Sequence, residues 1–360
     1  MKSILSLSLS MIAVCGFALA DKEKATPTPA AQKATTPPAA HKNLLLIAGT
    51  KSHGYGSHEH NAGVLLFKKC LDESNLPVKT TVKLNAEWPS KEELTAADTV
   101  LIYCDGGKNH LLLKDDRLQQ LTEEMKRGCG LVCVHYGVEY PKEAAGAEML
   151  DWMGGYFEMH WSVNPHWDAS FTKYPDHPIS NGLKPYTIRD EWYFHMRFAD
   201  ESKGQLSHIL SAVAPEETMK RPDGPHSGNP DVRKAVAAKI PQTVGWAFER
   251  KDGGRGFGFT GGHFHENWGN ENQRRVMLNA ILWTAKAQIP EAGVQSTVTE
   301  EELWANMDYP KPKNWDERQR AKKEASKKAG AHFESKEHAC ESCAFVAAVV
   351  ERQEKFDGAR

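Results

Sequence analysis

The 360-residue sequence predicts an α/β protein built on a doubly wound, mostly parallel sheet. Short continuous apolar runs read as strands buried on both faces. They alternate with segments of helical spacing, the pattern of a parallel sheet covered by helices on both sides. Polar, histidine-rich clusters follow directly on the runs, where ligands bind in sheets of this kind.

The elements follow in order. Asn43 to Gly49 is a first apolar run ending in glycine. Ala62 to Leu71 places Val64, Leu65, Phe67, Cys70 and Leu71 at helical spacing. Val78 to Leu84 alternates as a second strand, and Thr99 to Cys104 is a third, followed by Asp105-Gly106-Gly107. Leu118 to Arg127 predicts an amphipathic helix stopped by Gly128, and Leu131 to His135 a fourth strand. Trp152 to Ser170, dense in Gly, Trp and His, reads as a long functional loop, and Tyr186 to Phe198 mixes aromatics with charge. Ile209 to Val213, Val244 to Arg250 and Gly256 to Thr260 read as later strands, and Arg274 to Lys286 as a strongly amphipathic closing helix.

The ends differ from this core. Residues 1–20 read as a secretory signal peptide: a Met1-Lys2 head, an apolar stretch from Ile4 and an Ala18-Leu19-Ala20 cleavage pattern. The stretch is near the lower limit for a membrane span and is broken by Ser6, Ser8 and Ser10. The expectation is export, to the periplasm or the medium, with no transmembrane span after signal removal. Residues 21–42, rich in Ala, Thr, Pro and Lys, predict a disordered linker. The globular domain is expected over 43–290 and a polar, charged tail over 291–360, with a charge run from Asp316 to Lys328. A net charge of -2 with no basic stripe argues against a nucleic-acid partner. Among seven cysteines, Cys104, Cys129 and Cys133 read as small buried residues, while Cys340-x-x-Cys343 could form a bridge or hold a metal.

The chemistry lies in the clusters. Lys51, Ser52, His53, His58, Glu59 and His60 follow the first run; Asp105, Gly106, Gly107 and His110 follow the third. His135, Tyr136 and Gly137 end the fourth, and Gly261, Gly262, His263, His265 and Glu266 follow the late strand. Single histidines are usually surface or core residues, but clusters at the same kind of position favour one shared site.

The segments GGYFEMH, DHPISNG, RDEWYFH and GFTGGHFHENW occur in an order that resembles the ThuA-like (trehalose utilisation) family. His160 ends a Gly-x-Phe-x-x-His-like pattern, Asp190-Glu191-x-Tyr193 resembles an Asp-Glu-x-Tyr segment, and Gly262-His263 a Gly-His after the last sheet strand. The resemblance covers roughly Asn43 to Ala287, closing helix included, and implies a flavodoxin-like fold similar to class I glutamine amidotransferases. Those enzymes carry a cysteine nucleophile on a sharp turn after a central strand. Here His135 stands at that turn and Cys133 two residues earlier, so glutaminase chemistry has no evident nucleophile.

Histidine and carboxylate chemistry remains. Imidazole moves protons in both directions near neutral pH, and a buried Glu191 among aromatics would have a raised pKa. The resulting reading is an exported enzyme acting on carbohydrate or keto-sugar by proton transfer, elimination, hydration or isomerisation, with His135, His160, Glu191 and His263 as catalytic residues. His53, Asp105, His110, Tyr136, Tyr193, His265 and Trp268 are the candidate substrate contacts, aromatic faces packing on sugar rings. A divalent metal is the one cofactor the residue types suggest, with His160 and His166, or His53 with His58 and His60, as ligands, although the spacings match no standard zinc motif. The alternatives are a non-catalytic sugar-binding module and an interaction module, the latter requiring that the clusters do not converge.

Overall fold

The apolar runs become the strands of one sheet. A computed structural model describes residues 41–318 together with 320, 321 and 324. The expected signal peptide, nearly all of the linker, Cys340-x-x-Cys343 and most of the 316–328 charge run lie outside them. The chain forms β1 (Lys42–Ala48), α1 (His60–Asp72), β2 (Val78–Lys83), α2 (Lys91–Ala96), β3 (Thr99–Tyr103), α3 (Arg117–Lys126) and β4 (Gly130–Val134). It continues through α4 (Ala147–Trp152), β5 (Gly155–Tyr156), β6 (Trp167–Phe171), β7 (Tyr186–Asp190), β8 (Arg197–Phe198), β9 (Gly204–Ala212) and α5 (Pro230–Ala237). β10 (Gln242–Arg250), β11 (Arg255–Phe259), α6 (Glu271–Thr284) and α7 (Glu300–Leu303) complete it.

Seven strands lie in the order β2-β1-β3-β4-β11-β10-β9. The first five are parallel neighbours, and β10 runs antiparallel to both β11 and β9. β1 shows why its run is continuously apolar. Leu44, Leu46 and Ala48 enter the core on one face of the sheet, Leu45 and Ile47 that on the other. Chain order reverses between β1 and β3, the position at which sheets of this kind bind ligands beyond their carboxyl edge.

Several elements depart from the sequence expectation. The stretch 152–170 is not one loop, because β6 alternates buried Trp167, Ala169 and Phe171 with exposed Asp168 and Ser170 and pairs with β7. Four short helices, α2, α4, α5 and α7, were not expected. A Ser90/Glu93 capping box starts α2, and Asn229 caps α5 ahead of Pro230. The closing helix α6 is buried all round from Gln273 to Thr284 instead of amphipathic. Its polar face is covered by the chain that follows. Arg274 donates to Ser296, Arg275 to Gln295, and Val294 N–H donates to Asn279. The expected boundary at 290 is therefore corrected. Val294 and Leu303 are core residues, and α7 carries its own Thr299/Glu302 capping box. Among the described residues Cys70, Cys104, Cys129 and Cys133 are buried free thiols, and no helix is long and apolar enough to cross a membrane.

Asn279 ties these layers together, donating to the carbonyls of Ile179 and Asn181 and accepting from Val294. Asn279→Ala strands these buried groups and is expected to cost about 2–3 kcal/mol in urea unfolding, since each unsatisfied group costs about 1–3 kcal/mol. A loss below about 0.5 kcal/mol, the size of an ordinary surface substitution, would show that residues 291–296 do not brace the core.

Candidate metal centre

The carboxyl edge receives its side chains from separate segments. His135 is the first residue after β4 and turns at φ 54. His58, in the loop between β1 and α1, turns at φ 51, and its N–H donates to the carbonyl of His263. Left-handed backbone is uncommon for residues with a Cβ and costs on the order of 1 kcal/mol, so surroundings must hold it. His263 follows β11, where the buried carboxylate of Asp190 accepts the N–H groups of Gly262 at 2.7 Å and His263 at 3.1 Å. Glu191 follows β7 and thus sits next to that anchor.

These segments bring four donor atoms together. His58 Nε2 lies 3.0 Å from His135 Nε2 and 3.0 Å from His263 Nδ1. Glu191 Oε2 lies 3.0 Å from His263 Nδ1 and 3.5 Å from His135 Nε2. The outer nitrogens settle the tautomers. His58 Nδ1 is 2.9 Å from Asp105 Oδ1, and His135 Nδ1 is 2.8 Å from the carbonyl of Thr260. Both partners only accept, so each Nδ1 carries the hydrogen and a neutral ring presents a bare Nε2. Two bare nitrogens 3.0 Å apart beside a carboxylate repel unless a cation lies between them. A proton on His58 Nε2 is a poor candidate, since burial first, and then the neighbouring histidines, push His58 down to about 2.

A divalent metal fits this arrangement. Three imidazole nitrogens and one carboxylate oxygen lie within 4.8 Å of one another, a donor set suited to zinc and other first-row ions. Asp105 and Thr260 are the outer partners that fix the ligand rings. Burial alone would raise the carboxyl pKa of Glu191, but the His135, His166 and His263 rings gathered around it outweigh burial and hold the group well below the usual range, against the raised value expected for it. Burial likewise opposes ionisation of Asp105, yet contacts with His58 and His60 bring it down to about 2.

The structure sorts the sequence candidates. His135, Glu191 and His263 converge, with Tyr193 Oη 3.4 Å from His135 Nε2 and 3.4 Å from Glu191 Oε2. Exposed His53 stacks on His58 at 3.6 Å, and Tyr136 stands edge-on to His58 at 6.1 Å. His166 reaches Glu191 at 3.6 Å from the solvent side. His160 does not join; it is exposed, at φ 66, and bonds through its backbone to Pro225 and Asn229. The His160–His166 metal pair is replaced by the set of His58, His135, His263 and Glu191. His60 is buried with Nδ1 on the Thr50 carbonyl. His110 spends its nitrogens on Gly137 and the Leu112 N–H, and His265 donates to Leu303, so both rings bond within the fold and outside the four-donor cluster. Trp268 is core, edge-on to Phe67 at 4.8 Å. Cys133 is buried 3.5 Å from Tyr140 Oη, and burial pushes its thiol up to about 12. Asn164, unforeseen, donates to Glu191 Oε1 at 3.2 Å; a lone asparagine in a loop carries no sequence signal.

Fold and site together define a doubly wound α/β protein with a histidine–carboxylate centre at the carboxyl edge of its sheet. The family described as trehalose utilisation, ThuA, matches residues 44–284, and the chain belongs to that family. Among solved structures it is similar to a ThuA-like protein from Bacteroides uniformis, with 15% identity, 70% of this chain and 95% of that one covered, and a TM-score of 0.50. A ThuA-like protein from Parabacteroides merdae aligns at 14% identity over 73% and 99% of the two chains, with a TM-score of 0.45. The glutaminase domain of Trypanosoma brucei CTPS aligns at 9% identity over 71% and 98%, with a TM-score of 0.37. At 15% identity the likeness to the Bacteroides uniformis protein concerns the fold alone. No curated protein matches the chain.

Two expectations follow. Zinc or cobalt at about a hundredfold excess over Kd should stabilise the protein by roughly 3 kcal/mol, and His58→Ala should abolish the gain. Thermal unfolding unmoved by any divalent cation would exclude the centre. The second concerns pH. Burial pulls His110 to about 3 and His265 to about 4 from an ordinary 6.5. The folded state then binds fewer protons than the unfolded one, so stability is full above about pH 6.5 and falls as pH drops toward the folded values. At pH 5 each should cost about 2 kcal/mol relative to pH 7. Urea unfolding at the two pH values, with His110→Asn as the comparison, checks this; equal pH dependence in both proteins would refute the assignment.

Proposed function

We propose that this chain is an exported, metal-dependent enzyme acting on a carbohydrate or keto-sugar, by proton transfer, elimination or hydration, or isomerisation next to a carbonyl. Membership of the trehalose-utilisation family supports a role in carbohydrate metabolism. The observation that carries the metal reading is the meeting of bare His58 Nε2 and His135 Nε2 at 3.0 Å beside Glu191 and His263. A signal-like N-terminus supports export.

The residues divide the work. His58, His135, His263 and Glu191 hold the metal, which supplies Lewis-acid polarisation of a sugar carbonyl or hydroxyl oxygen when bound. As ligands the histidines stay neutral and do not serve as the proton-transfer groups expected among the catalytic residues. Tyr193 takes a different part. Burial raises its phenol well above 10, so it keeps its proton at neutral pH and can donate to a substrate oxygen beside Glu191. Asn164 orients the outer oxygen of Glu191. Partly buried Tyr136 and exposed His53 give flat faces against which a sugar ring can pack.

The test incubates the full chain with trehalose and with a keto-disaccharide, with and without zinc or manganese, and follows products by mass. Turnover should need metal, and Glu191→Gln should lower it at least about tenfold, as loss of a metal-shell residue does. His160→Ala should leave it unchanged. Saturable sugar binding without turnover under any metal would replace this reading with the non-catalytic module.

A further inference from the structure

The loop that delivers His58 is gripped from two sides. On the inner side Ser57 bridges Phe264, and His265 N–H donates to the carbonyl of Gly56. The outer side is covered by chain beyond residue 284, where the family match ends. Glu59 is fully buried and accepts the N–H of Gly56 at 2.8 Å on one oxygen and that of Asp308 at 2.7 Å on the other. Asn61 donates to Asp308 Oδ1 at 2.6 Å, and Tyr309 Oη donates to the carbonyl of Ser52 at 2.9 Å. Trp315 lies so close to Gly56 that a Cβ there would stand 2.6 Å from its ring, and Gly56 itself is left-handed at φ 84. Tyr55 is stacked on Trp304 at 5.6 Å and edge-on to Trp315 at 4.8 Å.

This grip meets a local need. Gly56 and His58 both turn at positive φ within three residues. Such a turn persists only when its surroundings over-determine it. Inner pairing alone fixes the backbone of 56–58, but the strand-side residues Ser52 and Tyr55 and the helix-side residues Glu59 and Asn61 are held by the later chain.

We propose that residues 304–315 are a positioning strap for the metal centre, holding the 52–61 loop so that His58 Nε2 points at His135 and His263. The proposal rests on His58 being a ligand. A bound cation then depends on a segment the family match does not include. Tyr309 and Trp315 are positioning residues, since neither reaches the donor atoms. A strap that only covered apolar surface would affect stability and leave metal affinity alone.

The experiment uses the full chain with Tyr309→Phe, Trp315→Ala and both together. Zinc affinity by calorimetry, thermal unfolding without metal, and amide hydrogen exchange over 52–61 are measured on each. Tyr309→Phe keeps the ring and removes only the bond to Ser52, so it guards against a variant that fails to fold. The double variant is expected to bind zinc about 10–100-fold more weakly, the range for outer-shell partners, with faster exchange confined to the loop. Asn279→Ala, which loosens the core elsewhere, should lower the unfolding temperature without changing zinc affinity. Wild-type affinity in the double variant would overturn the strap. If the wild type binds no zinc, cobalt or manganese, the ligand reading falls; loop exchange then decides the strap, faster exchange in the variants upholding the grip and unchanged protection overturning it.

Discussion

Asp105 and the carbonyl of Thr260 determine what the centre can be. Each takes the outer proton of one imidazole, and the inner nitrogens of His58 and His135 are left bare at 3.0 Å. Reverse either bond and the pair could share a proton as an ordinary hydrogen bond. The sheet makes the reversal impossible. Asp105 arrives two residues after β3, Thr260 directly after β11, and His135 directly after β4, which lies between those strands in parallel register. Acceptors are therefore built into the rim at the positions that face outer nitrogens. Asp190 plays the matching part for the backbone, neutralising the N–H groups of the turn that carries His263.

The sheet was legible because burial on both faces leaves an unbroken apolar run, and the runs at 43–49, 99–104, 131–135 and 256–260 are four of its strands. What failed to show was structure whose cause lies elsewhere in the chain. The pattern of α6 reads as amphipathic because Arg274 and Arg275 look solvated; residues 291–296, together with the carbonyls of Trp268, Gly269 and Gly182, supply them with partners. Stretch 152–170 hides a strand because half-buried β6 has charged and polar residues at every second position. Residues past 290 look polar, yet Val294 and Leu303 enter the core and Val298 and Trp304 pack against it.

The site was legible by position and not by role. Histidines after strands do gather at one rim, which removes the main support for a module whose clusters stay apart. Which of them face inward depends on tautomer and on backbone sign. His58 lies among three histidines within eight residues, and its φ of 51 is what singles it out. His160 has nearly the same backbone angle but opens onto solvent. His110 and His265 are equally close to strand ends, and their bonds to Gly137 and Leu303 make them interior fasteners. No spacing rule distinguishes these outcomes, because each is decided by a carbonyl or carboxylate far away in sequence.

The ligands lie far apart along the chain: His58 and His263 are 205 residues apart yet in direct contact, with His135 and Glu191 between them. An ion held by all four would be a reversible cross-link across most of the domain. Dissociation could not proceed by fraying at an end, since every ligand is anchored inside the chain. It would have to wait for a loop to swing out against its own clasp. Exchange with free ions should then be slow even where equilibrium affinity is modest, and the history of a sample, meaning which ion it met first while folding, would decide its metal content more than the buffer it is later kept in.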